Sequence, residues 1–320
     1  MKKFIAFVRR LLPKAVGDSL RSYYTPVRSK VRTMRRSMMK KISTKSLMDD
    51  LTAGGIGEGD RIMVHSAMSA IGNIEGGADA IIQSLLNSVT PGGTVMMPTY
   101  GSAAFVEDEM SAGRSIDLRN IRSQMGKITE VFRSWPDVIR SSHPFSAVCA
   151  WGDQSEHIIS HHHTQPYICH NESPMGRIID FNAKIVGIGV TIAVGMAVSH
   201  YLEDTDPEFP VEVHAPPFVV KYTDASGQTV EREVVRYDPA VTKDRIGSPN
   251  TEWICDRLTE HFSRMGIFKT FKFGNANAWV MEAQPVLVEL KRLASKGITI
   301  YLTKEKWKTM NQGDESIASW

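Results

Sequence analysis

Between residues 61 and 99 the chain alternates between strand-like and helix-like patterns, and this order is the strongest limit on its fold. Residues 61–66, RIMVHS, form a short apolar run of strand length, and residues 94–99, TVMMPT, form another. Residues 77–89 lie between them and carry apolar side chains at positions i, i+3 and i+4, which indicates a helix. A turn is predicted at residues 91–93, Pro-Gly-Gly. This order favours a layered α/β domain.

The same alternation continues through the rest of the chain. Residues 184–190, KIVGIGV, predict another strand, and residues 219–237 predict a hairpin of two period-two runs around Asp-Ala-Ser-Gly. Alternating strands and helices with one antiparallel hairpin predict an α/β layered sandwich that has a mixed central sheet and an inserted β-hairpin. Helices are predicted at residues 45–56, 127–135, 195–204, 250–265 and 281–295, and a last strand at 297–302, GITIYL.

The composition is that of an ordinary globular protein, with 42% hydrophobic and 23% charged residues among 320. Cys149, Cys169 and Cys255 are far apart and predict neither a disulfide framework nor a zinc site, which fits a reducing cytosol. No apolar run reaches the roughly 18 residues that a membrane span needs. We therefore expect a cytoplasmic protein.

The charges are distributed unevenly along the chain. Residues 1–45 carry 14 Lys and Arg and a single acid, Asp18, whereas the remaining residues carry 34 acids and 24 bases. We therefore predict two parts, a basic amphipathic N-terminal arm at residues 1–45 and a folded domain at residues 46–320. The net charge of +3 hides this contrast.

The arm begins MKKFIAFVRRLLPKAV, in which apolar residues share one face of a helix and bases flank that face. This pattern is typical of a helix that lies in the interface of an anionic membrane, here on its inner face. A solvated tail is the alternative, and nucleic acid is a less favoured partner for the bases. The sequence leaves the oligomeric state open, a homo-oligomer included.

Small residues crowd the step from the first strand to the next helix, MVHSAMSAIGNIEGG (63–77). A strand end that leads through glycines into a helix N-terminus can bind an anion, because free backbone N–H groups and the helix dipole face the ligand. The spacing matches neither GxGxxG nor a P-loop, and a simple tight turn explains the glycines equally well.

Two further stretches carry side chains suited to binding or catalysis. IRSSHPFSAV (139–148) contains Arg140, which can bind phosphate bidentately, and also hydroxyls and His143; a surface strand with a proline bend is the alternative. In VSHYLED (198–204), His200 and Glu203 share one face of a helix. The carboxylate can fix the imidazole tautomer and leave the other ring nitrogen as a general base, although such pairs are often purely structural.

Other histidines and cysteines are weaker candidates. His157 and the run 161–163 are interpreted as solvated loop histidines, and we predict no metal because no ligand set has diagnostic spacing. Cys169, next to His170, lacks the surroundings of a cysteine nucleophile.

Several of these stretches together resemble the aminoglycoside 3-N-acetyltransferase family. The block VHSAMSAIGNIEGGADAIIQSLLNSVTPGGTVMMPTY is similar to the family's long conserved motif, and RSSHPFSAVCAWG (140–152) is similar to a second motif. ESPMGRI, KIVGIGV and SHYLED continue the resemblance, which covers residues 47–205 well and the last third loosely.

The resemblance implies a non-GNAT acyltransferase fold. It also implies direct transfer of an acyl group from acetyl-CoA, or from another acyl-CoA, to a sugar amine without a covalent enzyme intermediate. Residues 46–320 would then be the N-acyltransferase domain, with His200 as general base and Glu203 as its acid partner. The residues that match the family's CoA-side motifs are His65, Ser66, Ser69, Thr99, Arg140, Ser141 and His143.

Three departures from the family pattern affect details of the CoA contacts. Ser66-Ala67 replaces a Ser-Ser pair, HPFSA lacks a second histidine, and Ala197-Val198-Ser199 replaces the usual residues before the catalytic segment. Because the basic arm suits envelope assembly, we favour as acceptor a nucleotide-linked amino sugar for surface polysaccharide. Aminoglycoside acetylation, and a binding protein that has lost the chemistry, are the alternatives.

Overall fold

A seven-stranded mixed sheet forms the centre of the domain in this computed structural model, which describes residues 40–101, 116–248 and 251–310. The predicted arm lies almost entirely outside the described residues, so its membrane contact stays a prediction. The elements in chain order are α1 (Thr44–Ala53), β1 (Arg61–Ser66), α2 (Met68–Ile71), α3 (Gly77–Val89), β2 (Thr94–Pro98), β3 (Ile116–Asp117), α4 (Lys127–Phe132), β4 (Ile139–Arg140), β5 (Val148–Gly152), α5 (Ser155–Ile159), α6 (Pro174–Asp180), β6 (Lys184–Ile188), α7 (Ile192–Gly195), α8 (Ala197–Thr205), β7 (Phe218–Thr223), β8 (Thr229–Val234), α9 (Pro239–Thr242), α10 (Glu252–Arg264), β9 (Lys269–Phe273), β10 (Ala276–Glu282), α11 (Ala283–Ala294) and α12 (Lys304–Met310).

The strand order of the large sheet is β4-β5-β2-β1-β6-β10-β9. The central strands β2, β1 and β6 are parallel, with Met63 opposite Met96 and His65 opposite Gly187. On either side the sheet becomes antiparallel, because β5 pairs with β2 and β10 pairs with β6. The carboxyl ends of the three parallel strands therefore meet at one edge, where β5 and β10 begin; we call this the C-terminal edge.

Helices cover both faces of the sheet, since the buried central strands are apolar on each side. Along β1 the side chains alternate: Ile62 and Val64 pack with α1, α3 and α4, whereas Met63 packs with the helices of the other face. Those other helices are α5, α6, α8, α10 and α11. The predicted layered sandwich with a mixed sheet is confirmed.

A small second sheet contains β3, β7 and β8, with β7 and β8 forming the predicted antiparallel hairpin. Its own apolar cluster includes Ile116, Val220, Tyr222 and Val234. The Tyr222 hydroxyl donates to the carbonyl of Ser142 at 3.3 Å, so this sheet contacts the loop between β4 and β5. The inserted hairpin is thus confirmed and lies next to the C-terminal edge.

The predicted last strand at residues 297–302 is wrong. Ile298, Ile300, Tyr301 and Leu302 are buried in the core, but they form turns and irregular backbone and pair with no strand among the described residues. The apolar run reflects burial and carries no information on pairing. The antiparallel pair β9 and β10, which the sequence analysis did not identify, occupies that end of the sheet instead.

Trp279 on β10 fixes the packing where β6 leads into α7. A Cβ atom added to Gly187 or to Gly195 would overlap its indole ring, so both positions require glycine. The indole Nε1–H donates to the carbonyl of Val190 at 2.8 Å. The turn after β6 is therefore held in place by a buried side chain from the neighbouring strand.

Across the described residues, none of the helices combines the length and apolar character needed to cross a membrane.

Candidate active site

His200 and Glu203 form a hydrogen-bonded pair on α8. Nδ1 of His200 lies 2.8 Å from Oε2 of Glu203, as expected for residues three apart on a helix. The Glu203 side chain is fully buried, whereas 19% of the His200 side chain is exposed. Oε1 of Glu203 has no other assigned hydrogen bond, but the carboxylate lies close enough to Tyr301 to add to the rise that burial causes in the pKa of that phenol. The pair predicted from the sequence therefore exists, and its imidazole is partly accessible to solvent while the carboxylate is not.

The other ring nitrogen of His200 faces an arginine. Nη1 of Arg245 lies 3.3 Å from Nε2 of His200. A guanidinium only donates hydrogen bonds, so Nε2 accepts and Nδ1 carries the proton that is donated to Glu203. The geometry therefore corresponds to a neutral imidazole whose lone pair is on Nε2, which is the form a general base requires.

Tyr237 packs between two histidines beside this pair. Its ring stacks on His200 with centroids 4.9 Å apart and on His214 with centroids 5.8 Å apart. His214 donates from Nε2 to Oδ1 of Asp204 at 2.8 Å, and Oδ2 of Asp204 accepts the backbone N–H of Cys169 at 2.8 Å. The hydrogen bond to Asp204 raises the pKa of His214, and burial raises the pKa of Tyr237 well above its ordinary value. Adjacent carboxylates on α8 thus hold two separate histidines.

The predicted residues of the strand ends lie at the C-terminal edge. His65 is buried at the end of β1, its Nε2 has no partner, and burial lowers its pKa to about 4. The hydroxyl of Ser66 is also buried without a partner. Thr99 is fully buried, and its hydroxyl donates to the carbonyl of Ala147 at 3.1 Å. Ser69 on α2 is exposed.

Glycine at the turn that follows β1 has a backbone reason. Gly72, Gly76 and Gly77 have φ values of 107°, 81° and 65°, a region that side chains other than glycine rarely adopt. A Cβ on Gly76 would also contact Ala80. The tight-turn interpretation of these glycines is therefore sufficient on its own, and the anion-binding alternative stays a prediction.

Arg140 at the end of β4 donates hydrogen bonds to three backbone carbonyls. Nη1 donates to Leu118 and Ile121 at 2.6 and 2.9 Å, and Nη2 donates to Thr99 at 2.8 Å. Burial lowers its pKa, while Nε has no partner. These bonds tie the loop after β2 and the segment after β3 to the sheet. The predicted phosphate contact of Arg140 stays a prediction, and the geometry gives the residue a structural role.

Ser141, His143 and His162 form a buried network next to Arg140. The Ser141 hydroxyl lies 2.8 Å from Nδ1 of His162 and accepts the N–H of Val148 at 2.9 Å. The rings of His143 and His162 stack with centroids 4.8 Å apart, and Nδ1 of His143 lies 2.9 Å from the Ser146 hydroxyl. Burial lowers the pKa of His162 to about 3 and that of His143 well below its ordinary value.

His162 corrects the interpretation of the histidine run as solvated. His161 is exposed and His163 is half-buried, but His162 is buried and its Nε2 lies 2.9 Å from the carbonyl of Ile168. The sequence contained no periodic signal for this burial, because the loop is irregular and its partners come from β4 and the loop after it. Within the described ranges, no cluster of three His, Cys, Asp or Glu side chains is arranged to hold a metal.

A groove of about 510 Å³ lies beside Arg140 and Ser141, lined also by Arg119, Arg133 and Ser160. Arg119 is paired with Asp117 at 2.8 Å and Arg133 with Glu130 at 2.9 Å, so carboxylates already compensate these two arginines, whereas Arg140 is bound by carbonyls. A second cavity, of about 690 Å³, is lined by Gly55, Lys184 and Glu282. It lies at the opposite edge of the sheet and contains none of the predicted site residues.

The two groups of predicted residues are joined through the chain around Cys169. His162 binds the carbonyl of Ile168, and the next residue, Cys169, binds Asp204 on α8. Burial raises the pKa of Tyr100, which follows Thr99, and Cys169 raises it further. The guanidinium of Arg245 is close enough to oppose this rise. No hydrogen bond within the described part of the chain links His200 directly to the predicted CoA-side residues. Four residues next to these groups carry no local motif and were not predicted as site residues: Tyr237, Arg245, His162 and His214.

Comparison with known proteins places the fold and motifs in one family. A sequence profile of the aminoglycoside 3-N-acetyltransferase family matches residues 63–294. The chain therefore belongs to the aminoglycoside 3-N-acetyltransferase family, and the resemblance found in the sequence is confirmed.

Individual relatives agree with this assignment. The SPbeta prophage-derived aminoglycoside N(3')-acetyltransferase-like protein YokD of Bacillus subtilis is 34% identical over 162 residues, which are 45% of this chain and 59% of that protein's length. Aminoglycoside N(3)-acetyltransferase III of Pseudomonas aeruginosa is 24% identical over 258 residues, 74% of this chain and 88% of its own.

Solved structures show the same fold. AAC-IIIb in a binary complex with CoASH superposes with a TM-score of 0.70 at 23% identity, covering 81% of this chain and 98% of its own. The aminoglycoside acetyltransferase AAC(3)-Xa gives a TM-score of 0.71 at 21% identity, covering 85% and 99%. AAC-VIa bound to sisomicin gives 0.65 at 18% identity, covering 78% and 96%.

Proposed function

We propose that this protein transfers an acetyl group from acetyl-CoA to an amino group of an aminoglycoside. The observation that carries the proposal is the His200–Glu203 pair, whose unprotonated Nε2 lies on α8, the second helix after the end of β6. Substrates of open α/β sheets bind outside the carboxyl ends of the parallel strands. We infer that the base and the strand ends flank one region, and family membership supplies the reaction type.

An ammonium group has no lone pair with which to attack, so the acceptor reacts as the free amine, its extra proton having been lost to solvent. In the proposed mechanism Nε2 of His200 accepts an N–H proton of this neutral amine as the N–C bond to the thioester carbonyl forms. Glu203 holds Nδ1–H and stabilises the imidazolium that forms. The tetrahedral intermediate then collapses, the C–S bond breaks, and the CoA thiolate leaves with a proton that His200 can return. General base catalysis of this kind typically contributes about 10²–10⁴-fold.

On the donor side, His65, Ser66 and Ser69 offer the polar groups best placed for the thioester arm. Nε2 of His65 and the hydroxyl of Ser66 are buried at the C-terminal edge without partners, which is costly unless a ligand binds there. Burial keeps His65 neutral by lowering its pKa to about 4, so it can donate or accept a hydrogen bond without charge. We propose supporting roles at the same edge for Thr99, Arg140, Ser141 and His143.

The acceptor is proposed to be an aminoglycoside in place of the nucleotide-linked amino sugar favoured from the sequence. That preference rested on the N-terminal arm, which lies outside the described residues. The curated relatives are aminoglycoside N(3)-acetyltransferases, and one solved neighbour is bound to sisomicin. Residues 46–320 carry 34 acids against 24 bases, and such a surface attracts a polycationic amine.

The direct test measures CoA thiol release by the purified chain from acetyl-CoA with sisomicin, with apramycin and with a UDP-linked amino sugar. We expect turnover with at least one aminoglycoside and little with the nucleotide sugar. Turnover with the nucleotide sugar alone would overturn the acceptor. Binding of acetyl-CoA without transfer to any amine would favour a binding protein that has lost the chemistry.

A further inference from the structure

We propose that Arg245 is a positioning residue that covers the base nitrogen of His200 in the resting protein and gives up this place to the acceptor amine. The inference rests on the proposed role of His200 as general base. It concerns a residue that no local motif marks, since Arg245 lies 45 positions from His200 along the chain. The contact joins the loop after α9 to helix α8.

The hydrogen-bond geometry fixes what Arg245 does to the ring. Its Nη1 is 3.3 Å from Nε2 of His200, and a guanidinium has no acceptor atom. Together with the 2.8 Å bond from Nδ1 to Glu203, this contact selects the tautomer with the proton on Nδ1. Arg245 and Glu203 therefore hold the imidazole from both sides in the form that can accept a proton on Nε2.

The same geometry prevents Arg245 from staying in place during transfer. When Nε2 takes the proton of the amine it becomes a donor, and it would then face the donors of a cation. The amine itself needs the position next to Nε2, within about 2.6–3.2 Å, that the guanidinium now occupies. The resting contact and the reacting arrangement are therefore mutually exclusive, and the guanidinium must move aside.

The position of Arg245 in the fold allows this movement. Its backbone is anchored, because its N–H donates to Thr242 at 3.1 Å and its carbonyl accepts the Thr251 hydroxyl at 2.6 Å. The described residues provide no carboxylate that forms an ion pair with the guanidinium, so its release from His200 breaks no salt bridge. The side chain of Arg245 can therefore move while its backbone stays in place.

The groups around His200 come from its own helix and from the segments that follow β8. Glu203 and Asp204 lie on the same helix, and Tyr237 separates His200 from the His214–Asp204 pair. Arg245 also influences two tyrosines, because its charge opposes the burial that raises the pKa of Tyr100 and of Tyr301. Its guanidinium therefore lies near Tyr100 and Tyr301 as well as His200.

The test uses diethyl pyrocarbonate, which acylates the free lone pair of a neutral imidazole. The full chain without substrates is treated at pH 7, and modification of His200 is followed by peptide mass spectrometry, with exposed His161 as internal reference. In R245Q, whose shorter uncharged side chain cannot reach Nε2, we expect His200 to react about tenfold faster or more, the protection expected of one hydrogen bond from a charged donor. R245K should restore part of the protection, and K243Q, a change at an exposed neighbour, should behave as the unaltered chain.

Kinetics supply the second readout. If the acceptor amine displaces Arg245, R245Q should lower KM for the acceptor several-fold and leave KM for acetyl-CoA unchanged. Equal acylation rates of His200 in R245Q and the unaltered chain would overturn the proposal whatever the activity. Protection by Arg245 in a chain that transfers no acetyl group would overturn the proposed function and leave this contact in place.

Discussion

The carboxylate of Asp204 lies 2.8 Å from Nε2 of His214, one residue along α8 from the carboxylate that binds His200. Tyr237 packs against both imidazole rings. The second pair therefore supports the first through an aromatic ring, and its protonation state bears on the stability of the site.

The His214–Asp204 pair predicts a pH-dependent contribution to stability. The pKa of His214 is raised in the folded protein, chiefly by its hydrogen bond to Asp204, above the ordinary value near 6.5. Its stabilising effect is then complete below pH 6.5 and is lost as the pH rises through the folded-state pKa. We expect H214Q to lower the denaturant midpoint more at pH 6 than at pH 9, while H161Q, at an exposed position, changes it equally little at both. An equal loss at both pH values for H214Q would contradict the prediction.

Replacement of His200 by alanine should remove the proposed general base. We expect kcat for the aminoglycoside to fall by about 10²–10⁴-fold, whereas the Kd of CoA, measured by calorimetry, should stay within a factor of about two because the ring faces the acceptor. A fully active H200A would reject the assigned base.

We expect E203Q to show that the carboxylate of Glu203 sets the tautomer of His200, and that another hydrogen-bonding side chain at this helix position is not sufficient. The amide can donate to Nδ1 and so favour a proton on Nε2, which removes the lone pair from the reacting nitrogen; we expect kcat to fall by about 10²-fold. The chain offers a matched control in Glu289 on α11, a buried carboxylate whose Oε1 lies 2.6 Å from Nε2 of His261. E289Q should lower stability and leave kcat unchanged, and equal kinetic losses in both variants would point to a general structural effect.

Ser141 should contribute to stability through its two buried hydrogen bonds. In S141A the N–H of Val148 and Nδ1 of His162 both lose their partner, and we expect the free energy of unfolding to fall by about 1–3 kcal/mol. S160A, at an exposed position, should change it by less than about 0.5 kcal/mol. Urea denaturation followed by tryptophan fluorescence measures both, and a neutral S141A would show that the network is dispensable.

Gly187 should tolerate no side chain. An added methyl group would overlap the ring of Trp279, and we expect G187A to cost about 1–3 kcal/mol. Gly57 has open space around its Cβ position and no positive φ, so G57A should be neutral or stabilise by up to about 1 kcal/mol. The same unfolding experiment compares the two variants, and similar values for both would refute the packing argument.

The sequence predicted those features that depend on neighbours along the chain. The strand at 61–66 and the His200–Glu203 pair were found because period and helical spacing are local properties. Tyr237 and Arg245 were missed because their contacts with His200 span dozens of residues and exist only once α8 and the loops after β8 are packed. The run 297–302 was misassigned for a related reason: burial makes a segment apolar, but pairing depends on which sheet edge is free.

The central strands end where their antiparallel neighbours begin. The C-terminal edge is therefore a rim that carries both the segments that leave the parallel strands and the segments that lead into β5 and β10. Segments such as those after β2 and after α8 can therefore vary in length and sequence while the strand register is unchanged. In such a scaffold we expect acceptor preference to depend on the rim segments more than on the strands. A chimera that carries the rim segments of a relative on these strands is accordingly expected to fold and to inherit that relative's choice of amine.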